Sequence, residues 1–408
     1  MFSRLRATYR EYPPQFWLMA VGLFISSMGT SMIWPFLMIY VSEKLGLSLS
    51  TGATLVSINA ATGLAASLAA GWVADRVGRK PVMVVSLAAN GLAYFLMSRA
   101  GSYTQFALLM MLAGAANPLY QVGADAMLAD LVVPEKRTTG YAVIRMVNNA
   151  GIAFGPAIGG FVATASYAYA FGGAAAGMLI YSLLLLLRGR ETLGLTSRVA
   201  GRGAAAAADS GFGGVFRDRS YMLFALIICL GLVPPSMLWN LLAVYTKQNF
   251  QLSESLFGWL PTTNALMCVF VQYFVTRAAR RHRDLPVMTT GILIYAVGVG
   301  MVVLMRSFWG FWAAMVFFTF GELTLIPTVS KYIAGLAPAE MRGRYMSIYW
   351  LAWGVSRAVA PLLGGWLNDA VAPQAIWIGG LLVGVVSAVS LVLYARRAPK
   401  PKLVMEPE

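Results

Sequence analysis

Four charges set inside long apolar stretches are the residues best placed to do chemistry in this chain: Asp125, Arg145, Glu322 and Arg357. A charge at mid-bilayer depth is costly unless it is paired or wetted, so each is a functional candidate by default. A carboxylate there can take up a proton or meet a cation, and a guanidinium can hold an anion. Bond-making chemistry has no comparable support. The single histidine, His282, has no Cys or carboxylate at metal spacing, and Cys229 and Cys268 both fall in apolar stretches, so neither a metal site nor a disulfide framework is implied. No catalytic nucleophile or paired catalytic constellation is evident.

The elements that must carry these charges follow from composition. Apolar residues make up 59% of the chain and charged residues 12%, against roughly 25% charged in an ordinary soluble domain. Twelve runs have the length of a transmembrane helix, at 15–41, 51–73, 80–98, 103–131, 138–163, 167–187, 220–246, 255–276, 285–305, 308–333, 342–367 and 374–395. They are numbered spans 1 to 12. The expected fold is an all-α membrane protein of twelve transmembrane helices. With both termini inside, inner segments hold 25 of the 31 Lys and Arg, and the outer loops only Lys44, Arg99, Lys247 and Arg306. That asymmetry sets the topology and points to the plasma (inner) membrane. It also explains the net charge of +15 through anionic inner-leaflet lipid, with no nucleic-acid partner required.

The chain repeats itself. A gapless offset of 205 residues lays Tyr40 on Tyr245, Asn59-Ala60 on Asn264-Ala265, and Pro81-Val82-Met83 on Pro286-Val287-Met288. It also lays Arg137 on Arg342, and Pro156, Gly159 and Gly160 on Pro361, Gly364 and Gly365. Two homologous six-helix bundles are expected, 1–187 and 220–408, joined by an Arg- and Gly-rich inner linker at 188–219 that could hold a short surface helix. The first fourteen residues read as a basic interfacial segment and the last dozen as a solvated tail. Paired halves in a membrane protein put the binding site between them.

The loop after span 2 reads Gly71-Trp72-Val73-Ala74-Asp75-Arg76-Val77-Gly78-Arg79-Lys80-Pro81. A basic turn accounts for most of it, but not for Asp75 at a helix C-terminus, where the macrodipole disfavours an anion. In span 5, Gly151, Gly155 and Gly159 recur every fourth residue with Gly160 following and Pro156 between, a stripe that allows close backbone approach. The loop resembles the signature of the major facilitator superfamily, and the glycine string resembles that of its drug:proton antiporters. Asp130, Pro134 and Arg137 resemble the family's second inner loop. The resemblance implies the major facilitator fold and alternating access; a monomer without enzyme activity is expected. It also implies that spans 1, 4, 7 and 10 surround a central cavity. A gating group of Gly71, Asp75, Arg76, Gly78, Arg79, Lys80, Asp130, Arg137 and Arg342 is implied as well, with Asp75 meeting the start of span 11 near Arg342 to Tyr345. One departure stands out: these antiporters carry an Arg in span 4 four residues before a Gly, and here Met110 precedes Gly114.

At ~1.5 Å per residue, Asp125 and Arg145 lie ~9 and ~10 Å from the inner ends of their spans, level enough to pair. Glu322 and Arg357 lie deeper, at ~16 and ~22 Å, and an Arg could close that gap. Glu322 and Asp125 are the expected proton-coupling residues, with Glu322 also recognising cationic substrate. The expected substrate contacts are Glu322, Arg357, Asn117, Tyr120, Gln121, Asn148, Asn149, Trp239, Asn240 and Trp353, with Trp34, Asn264, Tyr349 and Trp350 in the same zone. Such a set suits a small amphiphilic ligand. The activity expected is proton-driven, cofactor-free export of lipophilic or cationic compounds. The rival is a dedicated carrier of an anionic metabolite or lipid anchored on Arg357, which gains if that residue is unpaired.

Overall fold

The computed structural model describes residues 11–133, 136–193, 213–338 and 341–397, which form helices and, among the described residues, no strand. The first half comprises Pro14–Leu45, Leu49–Val77, Arg79–Arg99, Tyr103–Leu131, Arg137–Ala165 and Tyr167–Arg188, which are spans 1 to 6. The second comprises Arg219–Phe250, Glu254–Phe270 continued by Gln272–Ala279, Asp284–Leu304, Phe308–Leu336, Arg342–Ala370 and Ala375–Arg397, which are spans 7 to 12. Ten of these are long and apolar enough to cross a membrane. Spans 8 and 11 fall short of that criterion. Span 8 breaks at Val271 after 17 helical residues, and span 11 carries Arg342, Arg344, Arg357 and Asp369.

Local sequence sets the helix ends. Ser48 and Ser253, repeat mates, cap spans 2 and 8 by accepting from the backbone N–H of Thr51 and Leu256. Span 1 tightens into a 3-10 turn at Trp34–Phe36, where Pro35 removes a backbone donor. Span 7 is interrupted at Leu232, before Val233-Pro234-Pro235. Gly78, at φ 106°, makes the sharp turn between spans 2 and 3 in a conformation that favours glycine.

Within the first half, span 1 packs on spans 5 and 6, and spans 2 and 3 pack on span 4. The second half repeats the scheme, with span 7 on spans 11 and 12 and span 9 on span 10. The halves meet mainly through span 5 on span 8 and span 2 on span 11, the same contact made twice. Of the expected linker, only its ends and a short helix at Gly213–Arg217 are described. The first ten residues, 134–135 with Pro134, and the tail beyond 397 also lie outside the described residues.

Candidate functional site

Among the described residues the two halves close on each other at the face opposite the basic segments. There Gly160 abuts the backbone of Glu254 and Ser255 at the start of span 8, and its repeat mate Gly365 abuts Leu49 and Ser50 at the start of span 2. A Cβ at 365 would lie 2.7 Å from the Ser50 Cα; one at 160 would lie 2.9 Å from the Glu254 carbonyl carbon. Deeper in, Thr262 donates to the Ala153 carbonyl at 2.9 Å, and Ser57 donates to that of Ala358. These too are repeat mates. Asymmetric additions surround them. Glu254, with a side chain 7% exposed, pairs with Lys247 at 3.0 Å and accepts from Tyr167 of the other half at 2.8 Å. Asp369 accepts from the Ser50 backbone N–H at 2.9 Å.

Gly151, Gly155 and Gly159 face span 1 instead, against Ser27, Ser31 and Met32. Pro156 contributes across the halves, its carbonyl lying against Gly258. The glycine string therefore serves two contacts: three residues bind span 5 to its own bundle, and Gly160 seals the far face.

Beneath the seal lie two adjoining cavities of about 380 and 930 Å³ that share Trp34, Asn59, Asn117, Gln121 and Arg357. The smaller also takes in Tyr120, Asn148 and Trp239, and the larger Trp350 and Trp353. The larger reaches toward the basic face past Ser67, Leu68, Ser347 and Phe216. Leu68 is 85% exposed. The cavity is thus closed on one face and open on the basic one.

Of the expected contacts, Arg357, Asn117, Tyr120, Gln121, Asn148, Trp239 and Trp353 line these cavities; Asn149, Asn240 and Glu322 do not. Asn240 is buried and donates to the Ser236 carbonyl at 2.7 Å. Trp34 was expected only as part of the aromatic zone, yet the Arg357 guanidinium lies over its ring, 5.8 Å from the centroid. The repeat offset lays Trp34 on Trp239, a match that marks both as cavity residues.

Neither expected intramembrane ion pair forms. Among the described residues the salt bridges join Arg79 to Asp75 and Asp130, Lys136 to Glu11, Lys247 to Glu254 and Lys331 to Asp284. Glu322 instead accepts from the Asn264 amide at 2.8 Å, and that amide also donates to Thr319 at 3.0 Å. Similar depth brings two side chains level, but the helix rotation decides whether they meet. Arg357 turns into the cavity while Glu322 turns toward span 8. Asp125 and Arg145 are both exposed and not bridged to each other. Glu322 lines neither of these cavities.

The gating group also differs from expectation. Asp75 has a side chain 72% exposed and meets only Arg79 of its own loop, at 3.8 Å. Arg79 sits closer to Asp130, at 3.1 Å. Tyr345, at the start of span 11, donates to Asp218 at 2.8 Å within its own half. Arg137 donates to the Val132 carbonyl, Arg76 stacks on Trp72, and Gly71 and Arg342 face open surroundings. Lys80 is held through its backbone by a residue that no motif marks. The Glu191 carboxylate accepts from the N–H groups of Arg79 and Lys80 at 3.2 and 3.0 Å, capping span 3. Burial pushes this carboxyl up, but the backbone donors of Leu193, Lys80, Thr192 and Arg79 outweigh it and hold it below the usual range.

Known proteins agree with this architecture. The sequence model of the Major Facilitator Superfamily matches residues 19–238 and 235–407. A Na(+), Li(+), K(+)/H(+) antiporter of Planococcus maritimus is 30% identical over 84% of this chain and 87% of its own. Quinolone resistance protein NorA of Staphylococcus aureus (strain MSSA476) is 22% identical over 91% and 95%. Among solved structures, a bacterial homolog of the human lysosomal transporter Spinster in an inward-facing and occupied conformation aligns with TM-score 0.78 at 12% identity. It covers 96% of this chain and 98% of that one. The chain, a multi-pass membrane protein and not an enzyme, is a transporter of the Major Facilitator Superfamily.

Proposed function

We propose that this transporter is a proton-coupled antiporter that exports lipophilic compounds by alternating access, with its basic face in the cytoplasm. The observation that carries the reading is the inter-half cavity, sealed on one face by twice-built contacts and open on the other. Substrate enters it from the cytoplasm or inner leaflet, and the seal then opens while the basic face closes. Closure brings Asp75 toward the start of span 11. The names of two relatives, one a cation/proton antiporter and one a drug-resistance protein, support exchange and export.

Coupling runs through Glu322 at a distance from the substrate. Its carboxylate holds Asn264, two residues from Thr262, and this link matters because Thr262 is bonded across the halves to Ala153. A hydrogen bond to an ionised carboxylate is roughly twice as strong as a neutral one. Protonating Glu322 therefore loosens span 8, and with it one of the two seams of the seal. Flux in proteoliposomes under an imposed pH gradient tests this. Wild type should move a lipophilic dye faster with the gradient than without, and Glu322→Gln should keep exchange but lose the acceleration. A gradient-insensitive wild type, or a fully coupled Glu322→Gln, removes the proposal.

A further inference from the structure

The chemical class of the substrate can be narrowed, resting on the transport reading above. Among the described residues no Asp or Glu lines either cavity, and Arg357 is the one charged residue in both linings. Its guanidinium lies over Trp34 of the opposite half. Among the described residues it has no salt bridge, and none of its N–H groups has a hydrogen-bond acceptor. With no acceptor on its N–H groups, the guanidinium has its fork of donors available for a planar oxyanion. Neighbouring amides can add to that fork. Asn117 and Gln121 face the cavity with no partner among the described residues, and Asn148 takes a hydrogen bond from Ser27 on its oxygen, leaving its NH₂ to donate.

We propose that the cavity binds amphiphilic organic anions, with the acidic group on the edge of Arg357 and the apolar body among the tryptophans. Trp34 and Trp239 flank the smaller cavity, and Trp350 and Trp353 the larger. Each, at about 380 and 930 Å³, has the size of a drug-like ligand site. A cationic amphiphile would meet only a like charge here. The acidic group could belong to a free organic acid or to an anionic lipid, which share the same anion chemistry.

The test is equilibrium binding of a matched series to the full chain in phosphatidylcholine nanodiscs: 6-phenylhexanoate, 6-phenylhexanamide and 6-phenylhexylammonium. Wild type should bind the carboxylate at least about tenfold more tightly than the amide, and the ammonium most weakly. Arg357→Gln should lose the preference while still binding the amide, which reports an intact cavity. Arg357→Lys should keep part of it and serves if the Gln variant does not fold. Equal affinity for carboxylate and amide, tightest binding of the ammonium, or a preference that survives Arg357→Gln overturns the proposal. Repeating the titration in phosphatidylglycerol nanodiscs separates the sources. Weakened phenylhexanoate binding there means that lipid anions occupy the same guanidinium, and unchanged binding means that free acids do; both keep the anion site. The readout needs neither flux nor protons, so it stands or falls separately from the antiport reading.

Discussion

Adding one methyl group at either glycine of the far-face seal should open that seal. At Gly365 a Cβ would lie 2.7 Å from the Ser50 Cα, where ordinary contact begins at 3.4 Å, so about 0.7 Å must be found by moving backbone. At Gly160 the neighbours are again main-chain atoms, of Glu254 and Ser255, that cannot rotate away. Overpacking of this kind costs roughly 1–3 kcal/mol. The strain exists only while the far face is closed, so it biases the equilibrium between the two access states by about 5- to 150-fold. Gly160→Ala and Gly365→Ala should each shift the population toward the far-open state. The double variant should shift it by about the sum of the two free energies, because the glycines meet different neighbours and the far-open state releases both strains. Gly172→Ala is the control, since a Cβ there meets nothing within 4 Å. The assay is the spin–spin distance between labels at Arg99 and Arg306, exposed far-face residues of opposite halves, with Cys229 and Cys268 replaced by Ser. Distance distributions of the seal variants that overlay that of Gly172→Ala would refute the reasoning.

Two further outcomes follow from the charged groups at either face. Lys247→Met leaves the Glu254 carboxylate with Tyr167 but no cation; breaking a buried pair costs ~3–5 kcal/mol, and partial exposure of Lys247 brings this toward ~2–3 kcal/mol. It should lower thermal stability in detergent more than Tyr167→Phe, which removes one hydrogen bond to a charge; the reverse order would contradict the geometry. Glu191 is held below the usual carboxylate range, so its contribution is present above its unfolded value and disappears as pH falls through the lower folded one. The melting-temperature gap between wild type and Glu191→Gln should therefore be full near neutrality and close in the acid range; a gap that widens on acidification would rule out the cap. Together with the flux test on Glu322 and the binding test on Arg357, these cover both faces and the cavity between them.

The sequence already contained the spans, the repeat and the sign of each face, because those depend on local hydropathy and on spacing along the chain. The offset of 205 residues also foretold that contacts would occur twice: Gly160 and Gly365 make the same approach, as do Thr262 with Ala153 and Ser57 with Ala358. Membership of the family was legible in the loop around Asp75. What the one-dimensional reading could not supply was helix rotation. Counting residues gave the depth of Glu322 and Arg357 but not their directions, and a rotation of half a turn separates a salt bridge from two side chains facing different neighbours. The far-face latch of Lys247, Glu254 and Tyr167 and the Glu191 cap were invisible for a related reason: each joins residues from separate segments whose approach only packing determines. Tertiary structure also chose which face was shut, since one sequence must support both access states and differs between them by only a few kcal/mol.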